Sequence, residues 1–424
     1  MSLSIYKQIA CMFLLIIFTS SPSIAQKIEE GAKSEIITTH SIGEVYKSYF
    51  INNEVVVLAN TRSPQNLSVL LLIMDKQGGL KLEKKIGNKA NVYEHPIALC
   101  QNGNELYLLS NRIQQDNKSL IIYYLDANYE PISKKEIFTS GLVEGTAMIG
   151  KNEHRLLITA TVQDGQMSHY PRLIEFDTEN KEIINETNLN NKNEIPNKEL
   201  ETVPQLDPNT LEVIGKRQVP PNPFKSKVCN NMICTTASCE ELLFVGYETT
   251  DKVTDFWVAK MESGELAWEQ LYKTEIGGDE AFDVFLQDGN YFVTGLEYTK
   301  IIAKNYELRT MLLDENGKIV NEQNFKDNTR TFYKRAKKVG NNYVLLGQSE
   351  NVEYDTVHFS RKVNSANVSL TVLSQNLEKS KTHTFKTKEK VEVETMVGLP
   401  DNRLYVFYKV EGSLMKLEVK ITDD

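Results

Sequence analysis

The sequence predicts an all-β fold: a seven-bladed β-propeller of four-stranded antiparallel blades, closed by an N-terminal strand that pairs with the last blade. Three observations carry this. Short alternating apolar segments recur in pairs with a period near 50 residues. Turn residues of the Asp, Asn and Gly kind separate them. An unpaired strand-like segment lies at each end of the repeated region.

In chain order, Lys7 precedes the apolar run Ile9 to Phe18, and Ser23-Ile24-Ala25 stands before Gln26. A charged start, a short apolar run and small residues at the end have the layout of a secretory signal peptide over residues 1–25. The run is too short to cross about 30 Å of hydrocarbon as a helix, so no membrane insertion is expected after cleavage. Cys11 lies inside the run, which argues against a lipoprotein site. The expected location is therefore outside the cytoplasm: periplasm, cell surface or medium. Residues 26–424 are expected to form one propeller domain.

The clearest repeat unit starts at Ala281-Phe-Asp-Val-Phe-Leu286, turns at Asp288-Gly289-Asn290 and returns along Tyr291 to Gly295. A third strand follows over Glu307 to Leu313, then the turn Asp314-Glu-Asn-Gly317 and a fourth strand to Phe325. Corresponding second strands start at Glu54, Glu105, Arg155, Leu242, Tyr343 and Leu404. Third-to-fourth turns fall at Asp75, Asp126, Asp177, Met261, Asp314 and Ser374, spaced by 51, 51, 84, 53 and 60. The last unit ends on a third strand, Leu414 to Ile421, and Ser34 to His40 is the N-terminal segment expected to complete it. Such closure ties the chain ends together and removes a free sheet edge.

The spacing of 84 marks an insertion at about 190–227, rich in Asn and Glu and carrying Pro196, Pro204, Pro208, Pro220, Pro221 and Pro223. That proline density excludes a regular helix or central strand. A long connection of this kind is either a surface embellishment or part of a binding face.

Composition narrows the function. The 424 residues carry 48 Lys+Arg and 57 Asp+Glu, a net charge of −9, and this acidic excess argues against a nucleic-acid partner, whose phosphates need a clustered basic face. Cys229, Cys234 and Cys239 are spaced C-x4-C-x4-C, which fits no zinc pattern. A bend in that segment would permit a disulfide, and buried free thiols are the alternative. The six histidines have no metal-ligand spacing, and the Asp-x-Asn-Gly turns offer too few ligands for calcium. No cofactor or metal is expected. A Gly-x-Ser-x-Gly elbow and a phosphate-binding glycine loop are both missing from the sequence.

The stretch Asp255-Phe-Trp-Val-Ala-Lys-Met-Glu-Ser-Gly264-Glu-Leu-Ala-Trp268, followed by Gly277-Gly278-Asp279-Glu280, resembles the repeat of secreted bacterial β-propeller proteins of the Bacteroidetes type. Those repeats pair an aromatic on the third strand with a Trp on the fourth and end in a Gly-Gly-acidic turn. The resemblance implies the propeller fold and no shared catalytic set.

Propeller ligands are expected at the central channel, where the innermost strands end. Alignment on the second strands places Lys47, His95 (or Glu94), Glu144, Asp283 (or Glu280), Arg335 (or Lys334) and Glu394 around one mouth. A ring of both charge signs suits a polar ligand, and paired carboxylates suit acid–base work. The expected function is a non-catalytic platform for a protein or glycan partner. The alternative is a hydrolase or lyase acting at the channel mouth.

Overall fold

The structure is a computed structural model. It describes residues 26–423 apart from 63–66, 88–90, 116, 165–167, 190–200, 207–212, 220–224, 251–252, 275–277, 301–304, 326–329, 356–359, 376 and 378. The segment expected to be a signal peptide lies outside the described residues. Every described element is a strand. Among the described residues, no helix is long and apolar enough to cross a membrane.

In chain order, β1 (Gln26–Glu35) precedes a sheet of β2 (Ile42–Ile51), β3 (Glu54–Thr61), β4 (Val69–Asp75) and β5 (Leu80–Ile86). The next sheet holds β6 (Val92–Asn102), β7 (Glu105–Gln114), β8 (Asn117–Leu125) and β9 (Pro131–Ile137). Then come β10 (Leu142–Asn152), β11 (Arg155–Asp164), β12 (Ser168–Asp177) and β13 (Glu182–Asn188). The hairpin of β14 (Glu201–Leu206) and β15 (Val213–Val219) forms a sheet of its own. It leads to β16 (Lys225–Cys234), β17 (Glu241–Thr250), β18 (Val253–Glu262) and β19 (Glu265–Tyr272). Two further four-stranded sheets follow. One is β20 (Glu280–Gln287), β21 (Asn290–Lys300), β22 (Asn305–Leu313) and β23 (Ile319–Phe325). The other is β24 (Arg330–Val339), β25 (Asn342–Asp355), β26 (Ser360–Leu373) and β27 (Lys379–Phe385). The chain ends in β28 (Val391–Gly398), β29 (Arg403–Val410) and β30 (Ser413–Asp423), which form a sheet with β1.

This is an all-β propeller with four-stranded blades, but five blades stand as separate sheets, not the seven expected. The remaining strands, β10–β13 and β16–β19, form one eight-stranded sheet, because a parallel bridge between His169 and Ser226 joins β12 to β16. The sequence repeat could not reveal that bridge, which joins a strand preceding the 190–227 insertion to the strand at its far end.

Strand β1 closes the last sheet by antiparallel pairing with β30, from Gln26 opposite Asp423 to Glu35 opposite Met415. The closing strand is therefore Gln26–Glu35 rather than the Ser34–His40 segment expected. Ile28 packs with Val368, Phe385, Val419 and Ile421, which fixes β1 through its one inward apolar residue.

Hydrophobic packing runs between neighbouring sheets. Val57, Leu72 and Met74 pack on Tyr405 and Phe407 from one neighbour, while Val56, Leu71 and Ile73 pack on Leu108 and Ile121 from the other. Middle strands are thus covered on both faces and read as continuous apolar runs; Val55 to Ala59 are fully buried. Outer strands cover one face only and alternate or turn polar, as in Leu80–Ile86.

The third-to-fourth turns are built by their aspartates. Asp75 Oδ1 accepts from the Gln77 and Gly79 amides, Asp126 Oδ1 from Asn128 and Glu130, and Asp314 Oδ1 from Asn316 and Lys318. These Asx contacts are the backbone role that turns ask of Asp, and they hold the Asp126 carboxyl below its usual range. Neighbouring sheets latch the same turns: Tyr405 donates to Lys76 O at 2.9 Å, Tyr124 to Thr178 O at 3.1 Å and Trp268 to Glu315 O at 2.9 Å.

Candidate functional site

The first strands β2, β6, β10, β16, β20, β24 and β28 touch one another in a closed cycle, so they line the channel. Each carries a bulge at the same register. Tyr46, Ile97, Thr146, Asn230, Phe282, Lys334 and Glu394 are the extra residues that no ladder pair accounts for. A bulge bends the strand and re-aims its side chains. Six of these seven residues, all but Asn230, line a single cavity of ≈ 970 Å³.

The bulge is made possible by a small partner. The residue opposite its start is Ala59, Ser110, Ala160, Gly246, Gly295 or Gly347, with Tyr408 the exception. A Cβ added to Gly246 would lie 1.8 Å from Val228 O, and one on Gly295 would lie 2.0 Å from Glu280 O. The recurring small residue at the end of the second strand was the available sequence signal for these bulges.

Five of the six expected residues line this cavity: Lys47, His95, Glu144, Arg335 and Glu394. Relative to the bulge they occupy three register positions, because alignment on second strands cannot see the added residue. His95 and Glu144 stand two residues before it, level with Glu44, Glu280 and Glu392, and with them make an acidic rim. Glu394 is itself the bulge residue. Lys47 and Arg335 stand one residue after it, towards the channel floor.

Asp283 also stands one residue after its bulge but is not among the residues lining the cavity. Its Oδ1 accepts from Asn231 Nδ2 at 3.1 Å and its Oδ2 from the Ala336 amide at 2.7 Å, so it ties β20 to the strands on either side. Glu394 is buried and ion-paired with Lys409; burial nonetheless raises its carboxyl above the usual range.

Residues that the sequence reading missed complete the rim. The Tyr46 hydroxyl meets Glu44 Oε2 at 2.7 Å and His95 Nδ1 at 2.7 Å, and accepts from Asn60 Nδ2 at 2.8 Å. Burial lowers the His95 ring from its ordinary range, while Glu44 and Glu144 pull it back up. Burial also raises the carboxyl of Glu280, which the sequence offered as the alternative to Asp283. Phe282, Phe332 and Tyr333 supply an aromatic wall. Lys334, which the sequence left as an alternative to Arg335, joins the lining alongside it. The rim continues through Glu44, His95 and Glu392 into a second cavity of ≈ 760 Å³.

Lower down, Lys47 reaches the Thr146 carbonyl at 3.4 Å. Burial, reinforced by Arg335, pushes its ammonium down to about 8. Burial likewise lowers Lys337, and Arg335 adds to the effect. The Cys229 thiol is buried and pushed up to about 12, and Cys100 up to about 11. Cys234 and Cys239 form a disulfide across the turn between β16 and β17, which resolves the alternatives left open by the spacing. Among the described residues, no group of three or more His, Cys, Asp or Glu is arranged to hold a metal ion.

No protein-family model and no curated protein matches the sequence. Solved structures resemble its fold. The β-propeller domain of the Trilobed protease from Pyrococcus furiosus is 12% identical over 91% of this chain and 96% of that one, with a TM-score of 0.48. The WD40 domain of Toxoplasma gondii coronin is 8% identical over 95% and 88%, with a TM-score of 0.49. A prolyl endopeptidase is 11% identical over 90% of this chain and 50% of that one, with a TM-score of 0.49. At these identities the likeness concerns the fold alone.

Proposed function

We propose that this chain is an exported binding propeller that receives a polar protein or glycan partner at the mouth of its channel. One observation carries the reading: bulges in strands all around the channel turn their extra side chains into one cavity, whose rim and floor differ in charge. A concave site with convergent polar groups on a rigid frame is the usual setting for ligand binding. The segment at residues 1–25 supports export, and the 190–227 insertion supplies chain that can extend the binding face.

Affinity capture from the native envelope tests this, using residues 26–424 beside the same chain carrying Glu144→Gln and Glu392→Gln. A protein or glycan held by the parent and lost from the variant is the expected result. A partner held equally by both overturns the channel-mouth reading.

A hydrolase or lyase remains the second reading, favoured by the hydrogen-bonded group of Glu44, Tyr46 and His95 at the rim. A phenol and an imidazole in contact can hold and pass a proton. Turnover of a captured glycan or peptide that is abolished by Tyr46→Phe would promote this reading.

A further inference from the structure

Three cations act on one another towards the channel floor, Lys47 and Arg335 lining the cavity and Lys337 outside its lining. Lys47 comes from β2, and Arg335 and Lys337 from β24. Each of the two lysines is lowered by Arg335, and Lys47 by Lys337 as well. Asp283 is the one carboxylate acting on both lysines, and its two oxygens are committed to Asn231 and the Ala336 amide. With all three cations protonated, three positive charges against one negative leave an excess of two. Arg335 donates from Nη1 to Lys334 O at 3.1 Å, while its Nε meets no acceptor among the described residues. Among the described residues, none of the three cations makes an ion pair with a carboxylate. Cys229 of β16 acts on Lys47, and Tyr49 of β2 interacts with Arg335 and with Cys100 of β6. None is an anion at neutral pH, because burial raises all three.

An excess of buried like charge is unfavourable, and a bound anion relieves it. Lys47 and Arg335 both line the cavity, so a group entering from the mouth meets them at its end. The carboxylates of Glu44, Glu144 and Glu392 surround the approach, which repels a compact, fully anionic ligand. We propose that the channel floor is a binding site for a single carboxylate at the end of a longer, otherwise neutral or cationic ligand, held by Lys47 and Arg335. This deepens the channel-mouth reading above and rests on it. A planar guanidinium matches a carboxylate with two parallel hydrogen bonds, and the ammonium adds a point charge from the facing strand.

A carboxylate of this kind ends a peptide and also substitutes a uronic acid, so the test has two arms. Residues 26–424 are titrated calorimetrically with an N-acetylated tetrapeptide bearing a free or an amidated C-terminus. They are titrated in parallel with tetragalacturonate carrying one free carboxyl, the others esterified, and with the neutral tetragalactose. The expected result is that one acid binds at least tenfold tighter than its neutral analogue, and the arm that binds names the source. Lys47→Met and Arg335→Gln each abolish that preference. The preference also declines above pH 8, where Lys47 loses its proton. The floor carries excess charge, so Lys47→Met is further expected to raise the midpoint of thermal unfolding without ligand, which shows that the variant folds.

Acid and neutral analogues bound alike, or an acid preference that survives both substitutions, overturn the carboxylate site. If binding is then lost with Glu144→Gln, the channel-mouth reading stands without it. Failure of all four probes to bind, with Lys47→Met no more stable than the parent, also overturns the carboxylate site, and the mouth is then judged by its capture experiment alone.

Discussion

The Tyr46 hydroxyl lies 2.7 Å from His95 Nδ1 and 2.7 Å from Glu44 Oε2, and Asn60 donates to the same oxygen. A phenol has one proton. If Tyr46 gives it to Glu44, the His95 contact requires the imidazole proton on Nδ1, and Nε2 is then the basic nitrogen.

This arrangement predicts a His95 titration below the ordinary value of 6.5, which burial causes. Proton NMR of the imidazole checks it, and Glu144→Gln lowers the value further by removing a carboxylate that favours the cation. The folded state binds this proton less readily than the unfolded chain. The contribution of His95 to stability is therefore fully present above pH 6.5 and is lost as the pH falls through the folded value. Tyr46→Phe leaves the Asn60 donor and the imidazole without their shared partner, at a cost of about 1–3 kcal/mol in chemical denaturation.

Gly246 and Gly295 face the bulges across the ladder, and an added Cβ meets backbone carbonyl oxygen at 1.8 and 2.0 Å. Neither oxygen can yield without disturbing the bulge. Gly246→Ala and Gly295→Ala are each expected to destabilise by about 1–3 kcal/mol. Gly398→Ala is the control, since its nearest atom is a Val339 methyl at 3.5 Å, and it is expected to be near neutral. Urea unfolding of the three variants separates these outcomes.

The Cys234–Cys239 disulfide closes a loop with a sequence separation of 5. For so short a loop, the restriction of the unfolded chain is worth about 2 kcal/mol. The double variant Cys234→Ser with Cys239→Ser should lose about that much stability, and a reducing agent should have the same effect on the parent but none on the variant.

Lys227 is buried between Glu248, at 3.1 Å, and Glu269, which also accepts from Trp257 Nε1 at 2.6 Å. Lys227→Met keeps the volume and takes the cation from buried Glu248 and partly buried Glu269. Breaking a buried pair from one side costs about 3–5 kcal/mol. Thermal unfolding with Glu248→Gln added to Lys227→Met should recover part of the loss; no recovery would remove the ion pair as the cause.

The repeating strands were readable from the sequence because a middle strand covered on both faces needs an unbroken apolar run, as in Glu54-Val-Val-Val-Leu. The turns were readable because Asp75, Asp126 and Asp314 serve their own backbone. The number of separate blades was not, since it depends on one parallel bridge, His169 to Ser226, between residues far apart in the chain. The mouth was located to within two residues. Its register was blurred by the bulges, and the tie made by Asp283 and the pairing of Glu394 with Lys409 depend on neighbouring strands that no local pattern reveals.

The pairing of β1 with β30 has a consequence for how the molecule is made. The strand that completes the last sheet is made before every other described strand, and its partner β30 after them. A nascent chain therefore carries Ile28 without its apolar neighbours Val419 and Ile421 until β30 has been made. Early strands can pair locally through their hairpins, but the ring acquires its last ladder only after β30 has left the ribosome. Premature termination anywhere upstream leaves an open edge, which the cell's quality control can recognise.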